Sequence, residues 1–329
     1  MRTNQAIALA LLGALPLPGI CQITPQQQEA VRTAIGSRIE ALQILGGDYG
    51  LSGGQFRSTG KFVPSSEADA DLHFSKLGGS GDFGSPKPLG GLDIGWQLHL
   101  QGNMGKFKAT NRLHVPGLEG DLSTITGYAL EFGGGARFWI SDRVSIAPIV
   151  MGLYGQTTQT YTPGGVATGA NPAQTVPSDL ANLVDWKVDT LTGVASIDVQ
   201  YELLWHRAVV TLAVKPTFFD TRTLHTSNPQ IGANGNSGSL ETRFELDVPL
   251  GLQLFNHELR SGGYLSHTEL FGGLEDGLGV RAINELHGRL TLDFLQQLRN
   301  VKWVGLGASY LWGPGLKGWT AGADVSFQF

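Results

Sequence analysis

The 329-residue chain carries a formal charge of −5, 47 glycines and only 16% charged residues. That balance leaves no electrostatic footprint for nucleic acid, and so much glycine suits many strands joined by turns better than a helical enzyme. Beyond the N-terminus no run of about 18 apolar residues occurs, which excludes a spanning helix but not a barrel, whose hydrophobicity alternates.

The chain opens with Arg2, an apolar run Ala6–Leu15, the breakers Pro16 and Pro18, and Gly19-Ile20-Cys21. This predicts a Sec-type signal peptide over residues 1–21, cut after Cys21. Lipidation of Cys21 is the rival reading, and the bulk of Ile20 before it argues against that. Thr24 to Leu45 then reads as a helix. Thr24 suits the N-cap, Pro25 the first turn and Gln27 the capping box. Val31, Ile35, Ile39 and Leu42 keep helical spacing, and Gly46-Gly47 ends the run. Its length, roughly 31 Å at 1.5 Å per residue, fits a plug in a barrel lumen or an interfacial helix, and both stay open. Residues 50–65 are ambiguous, because Phe56, Ser58, Gly60 and Phe62 would also suit a strand. The domain reading is 22–65 as helix and linker and 66–329 as barrel.

From there the pattern has period two, not 3.6. Leu92, Ile94, Trp96, Leu98 and Leu100 alternate with polar or small residues, as do Tyr128 to Ile140, Leu240 to Leu254, Leu286 to Phe294 and Val304 to Trp312. At the end Trp319, Ala321, Ala323, Val325, Phe327 and Phe329 interleave with Thr320, Gly322, Asp324, Ser326 and Gln328. Strands are predicted near 66–77, 92–101, 105–115, 123–140, 144–159, 184–204, 208–225, 239–256, 262–271, 284–296, 301–312 and 318–329. Short turns are placed at Gly102-Asn103, Ser141-Asp142-Arg143, His206-Arg207, His257 to Ser261 and Arg299-Asn300. Longer loops are placed at Gly78–Gly91, Thr160–Leu183 and Thr226–Gly238. Alternation of short turns and long loops predicts an all-β, antiparallel up-and-down transmembrane barrel of about twelve strands, with the N-terminal helix as a candidate for its lumen. Pro249 inside one strand is a mild objection, since it removes a ladder donor.

No G-x-S-x-G, H-E-x-x-H, Walker A or paired-Cys spacing occurs, so no catalytic, cofactor or metal residue is assigned. His99, His114, His267 and His287 are expected on lumen faces. So is a charge set of both signs: Lys106, Lys108, Arg112, Glu131, Arg137, Glu241, Arg243, Glu245, Asp247, Glu285, Arg289 and Asp293. Such charges either pair to rigidify the lumen, since buried charge needs a partner, or line a pore, and pairing is favoured because a twelve-strand barrel with a helix inside leaves little free bore. Trp96, Trp139, Trp303, Trp312, Trp319, Tyr128, Tyr154 and Tyr310 are candidates for an aromatic girdle.

The helix at Thr24–Leu45, about twelve alternating strands and the terminal Phe327-Gln328-Phe329 together resemble the translocator barrel of autotransporters. The resemblance covers essentially the whole chain after residue 21 and is closest to the solitary barrels without a passenger. It implies an outer-membrane barrel reached by Sec export, non-enzymatic, without a cofactor, possessing a plugged or gated pore. The expected partners are outer-membrane lipid and the barrel assembly machinery, with Phe327 and Phe329 as the assembly signal. An outer-membrane hydrolase acting on lipid or peptide, and an adhesin-like barrel using its loops, are the alternatives.

Overall fold

The computed structural model describes residues 25–47, 53–59, 69–89, 92–112, 122–162, 185–293, 301–314 and 316–327. Twelve antiparallel strands carry the alternating segments: β1 (Gly53–Thr59), β2 (Asp69–Leu89), β3 (Leu92–Arg112), β4 (Leu122–Trp139), β5 (Val144–Thr162), β6 (Trp186–Trp205), β7 (Ala208–Thr226), β8 (Gly235–Leu254), β9 (His257–Gly272), β10 (Ala282–Asp293), β11 (Val301–Gly313) and β12 (Leu316–Phe327). Each pairs with its sequence neighbours, and β1 also pairs with β12, so the sheet closes. Two helices accompany it, α1 (Pro25–Gly47) and, between β9 and β10, α2 (Gly273–Leu278).

Connections 60–68, 113–121, 163–185, 227–234 and 273–281 fall at one end of the barrel, with the short 314–315 link. Connections 90–91, 140–143, 206–207, 255–256 and 294–300 fall at the other. In outer-membrane barrels the long loops are extracellular and the short turns periplasmic, so the two ends can be named long-loop and short-turn.

The strand count matches the expectation, but two of its parts do not. Gly102-Asn103 is no turn: β3 runs unbroken through it, with Gly102 opposite both Gly79 and Phe132. Nor is 78–91 a loop, since β2 continues to Leu89 opposite β3. The ambiguous 50–65 supplies β1, so the barrel begins at Gly53 rather than at 66. One strand lost and one gained leave the total at twelve. Glycine and asparagine misled here because they serve side-chain packing inside the wall. An added Cβ at Gly78 would meet Asn103 backbone and side chain, and Asn103 itself turns inward to donate to Glu131 Oε2 at 2.9 Å. The turn placed at His257–Ser261 sits instead at Phe255-Asn256, both in left-handed conformation. Pro249 is accommodated by a register shift between Pro249 and Leu252. Residues 1–24, with the signal-peptide reading, and Arg299-Asn300 lie outside the described residues.

Strands of 16–21 residues, as in β2 to β9, are longer than the 9–11 residues a tilted strand needs to cross hydrocarbon. The outward face shows where the surplus lies. On β3 Leu92, Leu98 and Met104 are exposed, and above them come Lys106 and Lys108. On β5 Val150 and Tyr154 give way to Gln156 and Thr158, and on β6 Ile197 and Leu191 give way to Asp189 and Lys187. Exposed Tyr128, Tyr154, Tyr310 and Trp319 mark this upper edge, as interfacial aromatics do. The apolar belt therefore occupies the short-turn side, and a polar collar projects beyond it at the long-loop end. Among the described residues no helix is long and apolar enough to span a membrane.

Candidate functional site: a plugged lumen

The inward face changes character along the same strands. In β6 the inward set begins Trp186, Val188, Thr190, Thr192, Val194 and Ser196, all buried, before it reaches Asp198. In β8 it begins Ser237 and Ser239 and continues with Glu241, Arg243, Glu245 and Asp247. The collar is thus lined by apolar and hydroxyl side chains, and the belt region by charges.

Helix α1 fills the collar. Six successive residues, Ile39 to Ile44, are each no more than 3% exposed. They cover more than a full turn, so every side of the helix is enclosed; a helix on a surface would leave one face open. That decides between the two placements in favour of the lumen. Leu42 and Ile44 join a core with Leu72, Phe107, Ile125, Leu153 and Phe219 from the wall and Leu274 and Leu278 from α2. Ile39 packs with Trp186, Val188 and Ile231. Polar side chains fix the helix in rotation. Gln43 Nε2 donates to Thr157 Oγ1 at 2.9 Å, and Gln43 Oε1 accepts from Thr190. Ser237 Oγ donates to Glu40 Oε1 at 2.7 Å. Two loops clasp it closely: Gly36 faces the Gly232 carbonyl, and Gly277 of α2 faces the Ser37 carbonyl, with no space for a Cβ at either glycine. Among the described residues, two arginines of the helix keep buried nitrogens without a hydrogen-bond partner, Arg32 at Nε and Arg38 at Nε and Nη2. For Arg38 this is a destabilising arrangement of a buried charged side chain.

Below α1 lies a cavity of about 310 Å³, lined by Arg137, Asp198, Lys215, Glu241, Arg243 and Tyr264 among others. Its charges are paired. Arg137 donates from Nε to Asp82 at 3.1 Å, from Nη1 to Ser145 at 2.9 Å and from Nη2 to Asp198 at 3.1 Å. His99 Nδ1 lies 2.8 Å from Asp82 Oδ1. Across the lumen Arg289 donates to Glu245 at 2.6 Å, Arg260 to Asp247 at 2.8 Å and Tyr264 to Glu285 at 2.9 Å. Lys215 and Glu241 are cross-strand partners in register. Asp293 accepts at its backbone oxygen from His257 Nδ1 at 2.8 Å.

Nine of the sequence-assigned lumen charges thus stand on inward positions: Glu131, Arg137, Glu241, Arg243, Glu245, Asp247, Glu285, Arg289 and Asp293. Lys108 does not. It is exposed on the outer face between buried Phe107 and Ala109, and Lys106, expected inward with it, lies outside with Nζ 5.6 Å from the Tyr128 ring centroid. The cause is the false turn at Gly102-Asn103, because restarting a strand one residue out of phase reverses every side chain after it. Arg112 ends β3, and its side chain lies outside the described residues, as do those of Phe327 and Phe329. Of the histidines, His99 and His287 point inward, His267 is on the outer face, and His114 is outside the described residues. Trp139 and Trp303 are lumen residues rather than girdle: Trp139 Nε1 donates to Gln97 at 2.9 Å, and Arg289 lies over Trp303 at 5.1 Å. Asp82 was hidden by the loop reading of 78–91. Asp198, Lys215 and Arg260 were also missed, although the period of two in β6, β7 and β9 marks their faces.

No described set of His, Cys, Asp and Glu is arranged to hold a metal ion. The His287 Nδ1–Ser309 Oγ contact of 2.8 Å is a hydroxyl–imidazole pair, but Ser309 is only 6% exposed in the wall.

No protein-family model matches the chain, and no curated protein matches it in sequence. Solved structures do. The transport unit of the autotransporter AIDA-I from Escherichia coli aligns with a TM-score of 0.51 at 10% identity, covering 97% of this chain and 95% of that one. The β domain of the Bordetella autotransporter BrkA aligns at 0.48 and 14% identity over 83% and 98% of the two chains. The translocator domain of NalP from Neisseria meningitidis gives 0.49 and 10% over 89% and 94%. At these identities the likeness speaks for architecture. A closed twelve-strand wall, an apolar outer belt, long loops at one end and a helix in the lumen give this chain the fold of an autotransporter translocator β-barrel.

Proposed function

We propose that the protein is a non-enzymatic, plugged pore of the outer membrane, closed at its extracellular mouth by α1. The observation that carries the reading is the enclosure of Ile39–Ile44 on every side by wall and loops. Beneath the plug the lumen is polar, and its ion pairs stiffen the wall around the 310 Å³ cavity. The plug is held mainly by non-directional apolar packing, with hydrogen bonds to neutral partners at its polar groups. Among the described residues its polar ties end on Ser and Thr hydroxyls, and Arg38 has no hydrogen-bond partner at two nitrogens. Export by the Sec route and assembly by the barrel-inserting machinery are part of the same proposal, with Phe327 and Phe329 as the signal read on the way.

The test is planar-bilayer conductance of the full-length protein carrying Gln43→Cys and Thr157→Cys. Oxidised, the pair is expected to hold the channel shut. Reduced, brief openings are expected, as in the unmodified protein. Equal, steady conductance in both states refutes the plug, and silence in both states under applied voltage refutes the pore.

A further inference from the structure

The lipid-facing wall is not evenly convex. Between β8 and β10 it carries a groove of about 530 Å³. Gly263 lines its floor, and the cross-strand partner of Gly263, exposed Gly288, continues the same row with no atom within 4 Å of an added Cβ. Leu246 stands beside the floor on β8, and Phe244, Leu265 and Leu286 stand one row above it. The floor row continues in register from Gly288 to Ala308 on β11 and Ala321 on β12, both small and exposed. The row above continues from Leu286 to Tyr310 and Trp319. From the groove at β8 to β10, the row of small residues extends the trough over four interstrand spacings in all, roughly 19 Å at about 4.8 Å each.

Three properties define what fits there. The trough lies within the apolar belt, one row beneath the aromatic edge at Tyr310 and Trp319, where lipid head groups meet hydrocarbon. Its floor strands are hydrogen-bonded on both sides, so it offers no free backbone edge to an added strand. Its raised walls are apolar, and exposed Lys317 on β12 stands two residues beyond Trp319, toward the long-loop end. The occupant is therefore flexible, narrow and apolar, and it descends from a head group at the outer surface. We infer that this trough seats one acyl chain of an outer-leaflet lipid and holds it longer than the surrounding bilayer is held.

The test uses the full-length protein in vesicles of phosphatidylethanolamine and phosphatidylglycerol doped with a phosphatidylethanolamine bearing a diazirine on one acyl chain. After irradiation, labelled peptides are mapped. Labelling is expected to concentrate on β8 to β12. Gly288→Leu fills the trough without internal clash, because no atom lies within 4 Å of a Cβ there, and it is expected to lower that labelling several-fold. Ala308→Leu should act in the same direction. Gly152→Leu, equally unobstructed on the far wall, should leave the labelling unchanged. Heat-modifiable gel migration verifies that each variant is folded. Even labelling around the barrel, or labelling indifferent to Gly288→Leu, overturns the inference. So does a dimer that Gly288→Leu dissolves without loss of lipid label, since the trough would then be a contact between two copies of the chain.

Discussion

The two ends of the barrel are built from one set of strands but solve the interior differently. In the collar the lumen is a protein core: Leu42 and Ile44 meet Phe107, Leu153 and Phe219, with hydroxyl groups to match the few polar atoms of the helix. In the belt region the lumen is a lattice of ion pairs around a cavity. The collar stands outside the hydrocarbon, so it can afford an interior that opens. The belt has lipid outside and polar groups inside, so its wall must hold shape whether or not the plug is present. Closure and rigidity are thereby assigned to different heights of the same cylinder.

Substitutions at each height should separate the two. The largest effect is expected in the lattice. Arg137→Met leaves Asp82 and Asp198 facing each other without their shared cation, and costs about 3–5 kcal/mol. The temperature at which the compact gel band converts to the slow one should fall sharply, while protease resistance of α1 changes little below that point. If α1 becomes cleavable first, the separation of roles is wrong. Next comes the core of the collar. Leu42→Ala is expected to cost about 2–4 kcal/mol, read as earlier proteolysis of the 25–47 segment, with the wall still migrating as a folded barrel. A smaller gain is expected from Arg38→Met, which replaces a buried cation with two nitrogens unbonded among the described residues by an apolar side chain and should stabilise the plug by about 1–3 kcal/mol. The readout is fewer conductance openings; more openings would mean that Arg38 has a partner that holds the helix in. Smallest of all, Lys108→Ala should change stability by no more than about 0.5 kcal/mol. A cysteine at that position should react with a membrane-impermeant maleimide on intact cells, whereas one at Glu245 should not.

The sequence made the wall legible and the plug only half so. Period two survives every strand because one face meets lipid or solvent and the other meets the lumen. It failed where glycine, proline and asparagine entered the wall itself. The run from Gly78 to Gly91 has the composition of a loop, yet it pairs along β3 as far as Leu89, and Gly102 needs no turn to justify it. Because faces are assigned by counting, that single break misplaced Lys106 and Lys108 while Arg137 and Glu245, on uninterrupted strands, were placed correctly. The depth of the helix is encoded in the wall: the inward set of β6 and β8 passes from Ser, Thr and Val to Asp, Glu and Arg at the level where α1 ends. Hydroxyl-lined wall belongs opposite packed protein, and charged wall opposite water. The lattice partners themselves join strands far apart in sequence, such as Asp82 and Asp198 through Arg137, and no local pattern names such a pair.

The brevity of β1 has a kinetic consequence. The ring is shut by six residues of the seven-residue β1, joining Gly53 to Ala321 from nearly opposite ends of the barrel sequence. Contacts so remote in sequence are the slowest to find each other, so this seam is expected to be the last event of assembly. Residues 48–52 alone connect the seam strand to the end of α1, a reach from Gly47 to Gly53 of at most roughly 22 Å when fully drawn out. The strand that completes the circle is therefore leashed to the helix that fills it, and neither can travel far without the other.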